Sequence, residues 1–242
     1  MVDASVVVVD ALGAIDGALT DSMPVDATAA DGAIADAGVL DAAANDAGPA
    51  TVPTPEGPFV IPSGIFVELV WTTPLDSDET DEGPGAGSNV DLHFAHSFAS
   101  AQDVDGVDGA DPWFDAGFDV FWFNPNPNWG SLDPGVMDDP KLDRDDQDGA
   151  GPELLELQMP EAGMDYRIGV HYWNDHTFGD STATVRVYFD TVMVYESPAQ
   201  LLTERAMWWV ATVSATGTVT PITAAGGGPK VTAPYENTFF PQ

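Results

Sequence analysis

The sequence predicts an all-β protein, an antiparallel β-sandwich of jelly-roll or immunoglobulin-like type with about eight strands, behind a disordered acidic tether. Three observations predict this fold. Short apolar segments alternate with a period of two, turn-forming residues separate them, and no long segment has a helical period. We assign residues 1–58 to a linker rich in Asp and Ala, residues 59–223 to the β-sandwich and residues 224–242 to a C-terminal tail.

The linker differs in composition from the rest of the chain. It is rich in Ala, Asp and Gly, the first aromatic residue is Phe59, and the first Lys or Arg is Lys141. Aspartates recur in it at a spacing of five: Asp16, Asp21, Asp26, Asp31, Asp36, Asp41 and Asp46. A period of five builds neither a helix face nor a strand face. Low hydrophobic bulk with charge of one sign therefore predicts an extended, disordered tether.

The predicted strands follow in order from residue 65. The segment IFVELVWT alternates over residues 65–72, and NVDLHFAH alternates over residues 89–96. A hairpin is expected around Asp190 and Thr191, between two β-rich segments. The complete set of predicted strands is 65–72, 89–96, 118–124, 152–159, 166–174, 182–189, 192–196 and 205–215, with a further candidate at 217–223.

The alternation also predicts which side chains form the core. These are Val67, Leu69, Leu92, Phe94, Phe121, Leu155, Leu157, Ile168, Val170, Val185, Val187, Trp208 and Val210. Two connections, residues 97–117 and 124–151, are too long for plain hairpins. Long loops on a rigid β-scaffold are where binding and catalytic residues concentrate, so we expect function there.

The charge balance excludes several classes of function. The chain has 242 residues, with 40 acidic and 6 basic ones, and a formal net charge of −34. Nucleic-acid binding and docking on an anionic membrane both need basic patches, which this composition does not provide. There is no cysteine, so disulfides, thiolate metal sites and cysteine nucleophiles are absent. No segment is apolar for long enough to predict a membrane span.

Half of the acidic residues, 20 of 40, fall between Asp76 and Glu153, where Lys141 and Arg144 are the only Lys or Arg. They cluster in three loops, 75–91, 103–115 and 138–153, the last containing KLDRDDQDGAGPE. In the second loop Asp111 follows three aspartates that alternate with glycine. The candidate metal ligands are Asp76, Asp78, Asp81, Asp91, Asp103, Asp105, Asp108, Asp143, Asp145, Asp148 and Glu153.

Calcium is the cation that these loops fit best. It takes roughly six to eight oxygen ligands from carboxylates and backbone carbonyls in tightly turning loops, and Asp at alternate positions near Gly supplies that geometry. Like charges a few ångströms apart also repel, and a cation would relieve that repulsion. The alternative is that the loops are solvated turns, in which each aspartate caps its own backbone.

The segments VELVWTTP, GSNVDLHF, LDRDDQDGAGPELLEL and GMDYRIGVHYWND together resemble a bacterial cell-surface module. They are similar to the β-sandwich of the pre-peptidase C-terminal type and to related domains with a VDLH…GPE…YRVxVxYW pattern. The resemblance covers about residues 60–215 and implies a β-sandwich with a non-catalytic accessory role. For some relatives the resemblance implies calcium bound at the acidic loops. The residues at the matching positions here are Asp91, Asp143, Asp145 and Glu153.

The histidines raise an enzymatic alternative. His93 and His171 are predicted on the outward faces of their strands, where Asp91 could join them in a zinc or general-base site. A metal-dependent hydrolase at the two histidine pairs, His93 with His96 and His171 with His176, is therefore one alternative. The competing interpretation is that these histidines pair with Asp or aromatic neighbours across a sheet.

A carbohydrate-binding module is the other alternative. The segment FWFNPNPNWG places Trp129 beside Asn126 and Asn128 in a polar loop, as in a platform on which a sugar stacks. The competing interpretation is that the tryptophans anchor the core and the loops. Adjacent Trp208 and Trp209 must point to opposite faces of a strand, so at least one belongs to the core.

The combined prediction is a non-catalytic, calcium-stabilised extracellular or cell-surface module for adhesion, binding or architecture. Its partners are a divalent cation and a glycan or cell-surface protein, without nucleic acid and without a membrane span. The N-terminal segment MVDASVVVVDALGAI has no basic region and does not predict a signal peptide, so we expect an upstream start or an unusual export route.

Overall fold

A computed structural model of the protein describes residues 48–81, 83, 85–107, 109–147 and 149–237. The predicted tether up to residue 47 lies outside these residues. None of the described residues is helical, and the strands form antiparallel sheets packed on one another, so the prediction of an all-β sandwich is confirmed. The described part of the chain accordingly contains no helix suited to crossing a membrane.

Fourteen strands follow one another along the described chain. They are β1 (Thr51–Val52), β2 (Phe59–Val60), β3 (Ile65–Thr72), β4 (Asn89–His96), β5 (Asp119–Val120), β6 (Lys141–Arg144), β7 (Glu153–Leu157), β8 (Asp165–Asn174), β9 (Ser181–Phe189), β10 (Val192–Glu196), β11 (Gln200–Leu202), β12 (Met207–Ser214), β13 (Val219–Pro221) and β14 (Lys230–Thr232).

Two six-stranded sheets build the sandwich. The first sheet has the order β10-β9-β3-β7-β6, with β11 also paired to β9, and the second has the order β13-β12-β8-β4-β5, with β14 also paired to β12. Strands β1 and β2 form a separate ribbon. Because β14 pairs with β12 and Tyr235 is buried, the folded part continues past residue 223, where the sequence predicted a tail to begin.

The hairpin between β9 and β10 forms where the sequence predicts it. Val192 lies opposite Phe189, which leaves Asp190 and Thr191 as the two turn residues. Both have positive φ, 47° and 70°, as a type I′ turn requires. The aspartate also stabilises the neighbouring loop, because its Oδ1 accepts the backbone amide of Gly64 at 3.0 Å.

The main core fills the space between the two sheets. All the residues predicted from alternation belong to it except Phe121. A second core covers the outer face of the second sheet, where Trp113, Phe114 and Phe121 pack on Trp209 and Tyr235. Trp208 lies in the main core and Trp209 in the second one, as the opposite faces of a strand require.

The predicted strand over residues 118–124 is mostly wrong. Only Asp119–Val120 is a strand, and it pairs with β4 at Ala95 and Phe94. Local hydrogen bonds replace the ladder beyond it, because the Asn124 side-chain amide donates to the Asp119 carbonyl at 2.8 Å. The 97–123 segment is thus largely an irregular layer over the second sheet, and much of β4 keeps a free edge.

Candidate metal centre

Two buried carboxylates from opposite sheets meet at the free edge of β4. Asp91 belongs to β4 in the second sheet, Glu153 begins β7 in the first, and each residue is 1% exposed. Strand β5 does not reach residue 92, so the amide of Leu92 is available and donates to Glu153 Oε2 at 2.5 Å. The Asp146 amide donates to the other oxygen, Oε1, at 3.3 Å. Glu153 therefore links the two sheets directly.

Asp145 completes the cluster from the loop that follows β6. One carboxylate oxygen from each of Asp91, Asp145 and Glu153 lies within 4.8 Å of the others. Asp145 is exposed, so the cluster has one side open to solvent. Neither oxygen of Asp91 has a hydrogen-bond partner among the described residues, although both are buried. An unpartnered buried carboxylate is rare in native proteins, because its desolvation is not compensated.

The electrostatics of the site disfavour three bare carboxylates. Burial raises the pKa of the Asp91 carboxyl well above its usual value, and the Asp145 carboxylate raises it further. Burial likewise raises the pKa of Glu153, with added repulsion from Asp91 and Asp145. No Lys or Arg nitrogen of the described chain lies within 4.0 Å of an oxygen of these three residues. The cluster thus requires either protons or a cation.

Arg144, the nearest cation in sequence, is engaged elsewhere. Its guanidinium pairs with Asp146 at 3.3 Å and with Glu56 of the N-terminal segment, and its Nε donates to the Pro152 carbonyl at 2.9 Å. These contacts hold the described residues of this loop, 145–147 and 149–152, against the first sheet. They leave the three clustered carboxylates uncompensated.

Gly151 allows the backbone just before Glu153 to pass close to β3. Its φ is +84°, and a Cβ there would lie 2.9 Å from the Leu69 carbonyl oxygen and 2.9 Å from the Trp71 ring. Only glycine fits both the backbone conformation and the close approach. The Ala150 carbonyl then accepts the Trp71 amide at 3.1 Å and continues the pairing of the sheet.

Asp143, predicted as a ligand in the same loop, lies outside the cluster. It pairs with Lys141 and stands near Glu156, whose pKa is raised mainly by burial and in part by Asp143. Regular alternation would place Asp143 and Asp145 on the same face. The bulge between Leu142 and Arg144 contains Asp143 and interrupts that alternation, and β6 ends at Arg144. Asp148, another predicted ligand, is outside the described residues.

The second acidic loop also gathers three carboxylates, but a lysine from β14 already contacts them. Oxygens of Asp103, Asp105 and Asp111 lie within 4.8 Å of one another. Lys230 Nζ lies 2.8 Å from Asp105 Oδ2 and 3.6 Å from the centroid of the Trp209 ring. Asp111 accepts hydrogen bonds from the Val104 amide at 2.9 Å and from the Tyr235 hydroxyl at 3.0 Å. Lysine and backbone donors therefore already compensate part of this charge; Asp108 is not described.

The first acidic loop forms local turns instead of a cluster. Asp76 Oδ1 accepts the Asp78 amide at 3.0 Å, and Asp78 Oδ1 accepts the Thr80 hydroxyl at 2.6 Å. Among the described residues, Asp76, Asp78 and Asp81 do not form a group of three converging carboxylates. Here the structure favours the alternative of self-capping aspartates, and a metal site at these three residues stays a prediction.

His93 and His171 lie inside the second core, so their predicted exposure is wrong. Both are 0% exposed, and their ring centroids are 6.2 Å apart. His93 Nδ1 bonds Asp119 Oδ2 at 2.7 Å, and its ring stacks on Phe121 at 5.3 Å. Burial lowers the pKa of His171 to about 3. The 97–123 segment covers the face that alternation marked as outward, and this supports the interpretation that the histidines pair with Asp and aromatic neighbours.

Trp129 is buried as well, which corrects the expectation of an exposed sugar platform. It is 5% exposed, stacks on Tyr166 with ring centroids 6.0 Å apart, and donates from Nε1 to the Gly117 carbonyl at 3.0 Å. Asn126 and Asn128 are exposed. The flanking Asn and Pro residues concealed the anchoring role, which Asp139 supports because its Oδ1 accepts the Trp129 amide at 2.7 Å.

The residues that converge on Asp91 can hold a metal ion. Three carboxylates offer oxygen ligands only, and the open side at Asp145 leaves room for water to complete the coordination. Comparison with protein-family models, with curated proteins and with solved structures finds no match for the chain. Fold and site together define a β-sandwich protein in which two buried carboxylates and one exposed carboxylate converge between its two sheets.

Proposed function

We propose that this chain is a non-catalytic β-sandwich module for adhesion, binding or architecture at the cell surface, stabilised by calcium bound to Asp91, Asp145 and Glu153. The observation that carries the proposal is the Asp91 carboxylate, which is buried, has no hydrogen-bond partner and has two other carboxylates beside it. Calcium would replace the missing partner and neutralise the like charges.

The energetic argument favours an occupied site at neutral pH. Two carboxylates about 4.8 Å apart repel by roughly 3–4 kcal/mol at an effective dielectric constant near 20. Folding brings three such groups together and buries two of them. A cation that binds the folded state alone turns this repulsion into attraction and stabilises the fold by mass action.

The donor set favours calcium over other metals. Zinc prefers nitrogen and sulfur ligands, and no histidine of the described chain joins the cluster. Magnesium requires a compact octahedron and gives up its waters reluctantly, whereas calcium tolerates an irregular set of carboxylates, carbonyls and waters. Asp145 is exposed and can adjust to a ligand distance of about 2.3–2.6 Å.

The cell-surface role is supported by the resemblance to exported bacterial sandwich modules, and a calcium site would suit it. Extracellular modules bind calcium with dissociation constants on the order of 0.1–1 mM, which match calcium concentrations outside cells. In that environment the cation would hold Asp91 of one sheet to Glu153 of the other and order the 145–152 loop. The module would then present its remaining loops from a stable frame.

Thermal unfolding with and without calcium tests the proposal. At calcium about 100-fold above its dissociation constant, linkage adds about 2.7 kcal/mol, which corresponds to a rise of roughly 5–10 °C for a domain of this size. Asp91→Asn should abolish the rise. Asp78→Asn changes the net charge equally in a loop where the structure gathers no cluster, so it should retain the rise.

Two results would overturn the proposal. One is an unchanged melting temperature when calcium is added to metal-free wild-type protein. The other is an equal calcium response in Asp91→Asn and Asp78→Asn, which would show that calcium acts on the surface charge in general. Metal analysis of the purified protein gives an independent readout, with about one calcium bound per wild-type chain and none per Asp91→Asn chain expected.

A further inference from the structure

A cavity of about 220 Å³ lies beside the end of β4, at His96. None of the three clustered carboxylates lines it. Its walls include His96, Trp129, Asp138, Met159, Glu161 and Tyr166. Pockets that hold drug-sized ligands measure about 300–1,000 Å³, so this one fits a smaller molecule.

One part of the wall is aromatic and held rigidly. Trp129 and Tyr166 stack with an interplanar angle of 9°, and hydrogen bonds fix both residues. The indole donates to Gly117, and the Tyr166 hydroxyl accepts the Glu161 amide at 2.8 Å. Met159 adds a flexible apolar side chain to the same cavity. A preformed wall of this kind favours an apolar ligand body, because little side-chain freedom is lost on binding.

Two carboxylates line the same cavity. Asp138 is fixed through Oδ2, which accepts the Ser131 amide at 2.7 Å, while its Oδ1 is buried without a hydrogen-bond partner among the described residues. Gly130 permits this placement, since a Cβ there would lie 2.5 Å from Asp138 Oδ2. Glu161 is half exposed and supplies a second negative charge to the lining.

His96 does not neutralise these charges. Its Nδ1 accepts the Phe98 amide at 3.2 Å, so the neutral ring carries its proton on Nε2, which lies 3.9 Å from Glu161 Oε2. Burial lowers the pKa of His96, which keeps the ring neutral at neutral pH. Among the residues that the structure describes, no Lys or Arg lines the cavity. The lining is therefore apolar and aromatic with a net negative charge.

We infer that this cavity binds a small organic cation, a primary ammonium group carried on an apolar body. The ammonium would pair with Asp138 and Glu161, and the body would pack against Trp129, Tyr166 and Met159. The two carboxylates attract a cation, and the chain's net charge of −34 increases the local concentration of cations. An anionic ligand would meet two like charges, and a neutral one would leave both uncompensated.

Binding of phenethylammonium tests the inference by saturation-transfer NMR and calorimetry. The matched neutral probe is 2-phenylethanol, which has the same ring and chain length without the charge. In buffer with calcium, so that the metal site is saturated, we expect the amine to bind roughly tenfold more tightly than the alcohol. Asp138→Asn and Glu161→Gln should each weaken the amine by a similar factor and leave the alcohol unchanged.

Asp133→Asn is the matched control, because Asp133 is exposed, makes a turn with the Gly135 amide and does not line the cavity. This control should bind the amine like wild type. Equal binding of amine and alcohol, or equal losses in Asp133→Asn and Asp138→Asn, would overturn the inference. Tighter binding of a methyl glucoside than of the amine would also overturn it, in favour of a sugar site. If Asp138→Asn does not fold, the result for Glu161→Gln, whose side chain is half exposed, decides.

Discussion

Glu153 Oε2 in the first sheet accepts the backbone amide of Leu92 in the second sheet at 2.5 Å. The bond is buried and joins the two layers at the point where β5 fails to cover β4. It places the Glu153 carboxylate beside Asp91 and Asp145, so the contact that closes the sandwich also builds the acidic cluster. The site thus depends on the packing of the sheets and follows from no local loop motif.

Glu153→Gln separates the hydrogen bond from the charge. The amide oxygen can still accept from Leu92, while the longer bond from the Asp146 amide, at 3.3 Å, and one of the three acidic groups are lost. In metal-free buffer we expect the variant to be at least as stable as wild type, because repulsion falls. With calcium the order should reverse, since a ligand is lost. Chemical denaturation in both buffers measures this, and a variant less stable than wild type without metal would contradict the expected repulsion.

Gly151→Ala should destabilise the protein by about 2–4 kcal/mol. The new Cβ would meet the Leu69 carbonyl and the Trp71 ring at 2.9 Å and would require a positive φ. Gly163→Ala is the control. Its φ is also positive, +83°, but apart from its chain neighbours a Cβ there would meet no described atom within 4 Å. Only the cost of the backbone conformation, about 1 kcal/mol, therefore remains. Urea denaturation compares the two variants, and equal losses would show that the close approach has no cost.

Lys230→Gln removes the cation of β14 that pairs with the second acidic loop. Its ammonium contacts Asp105 and the Trp209 ring, so we expect a loss of about 1–2 kcal/mol. Arg205→Gln is a control of equal charge, because Arg205 pairs with Glu236 through two well-exposed side chains. Its effect should stay below about 0.5 kcal/mol. The prediction is wrong if thermal melts show the same loss for both variants.

The buried His171 predicts a loss of stability in acid. Burial lowers its pKa from 6.5 to about 3, so the unfolded state binds a proton that the folded state excludes. The contribution is fully present above the unfolded pKa. It falls by about 1.4 kcal/mol for each pH unit between the two values. His171→Gln should therefore show a shallower decrease in stability between pH 6 and pH 4 than wild type.

Denaturation at several pH values measures this difference, and the comparison with wild type cancels the carboxylates that both proteins share. His176→Gln serves as the control, because His176 lies in a partly exposed turn where its Nδ1 bonds the Gly87 carbonyl. Parallel pH profiles for wild type and His171→Gln would contradict the prediction.

The sequence by itself determined the fold class, the strands with strong alternation and nearly all of the main core. Residues such as Val67, Leu92 and Val170 are inward because a period of two assigns them to one face of a strand, and that face has to be buried. The local concentration of acidic residues near glycine located the acidic loops and placed Asp91, Asp145 and Glu153 among the candidate ligands.

Only the tertiary structure decided which carboxylates meet and what covers each face. Asp91 and Glu153 lie on strands of different sheets, and their approach depends on the packing of β4 against β7 and on the free edge of β4. His93 and His171 were misjudged for a related reason. Alternation tells which side of a strand a residue occupies, but a distant segment such as 97–123 decides whether that side meets water or a second core.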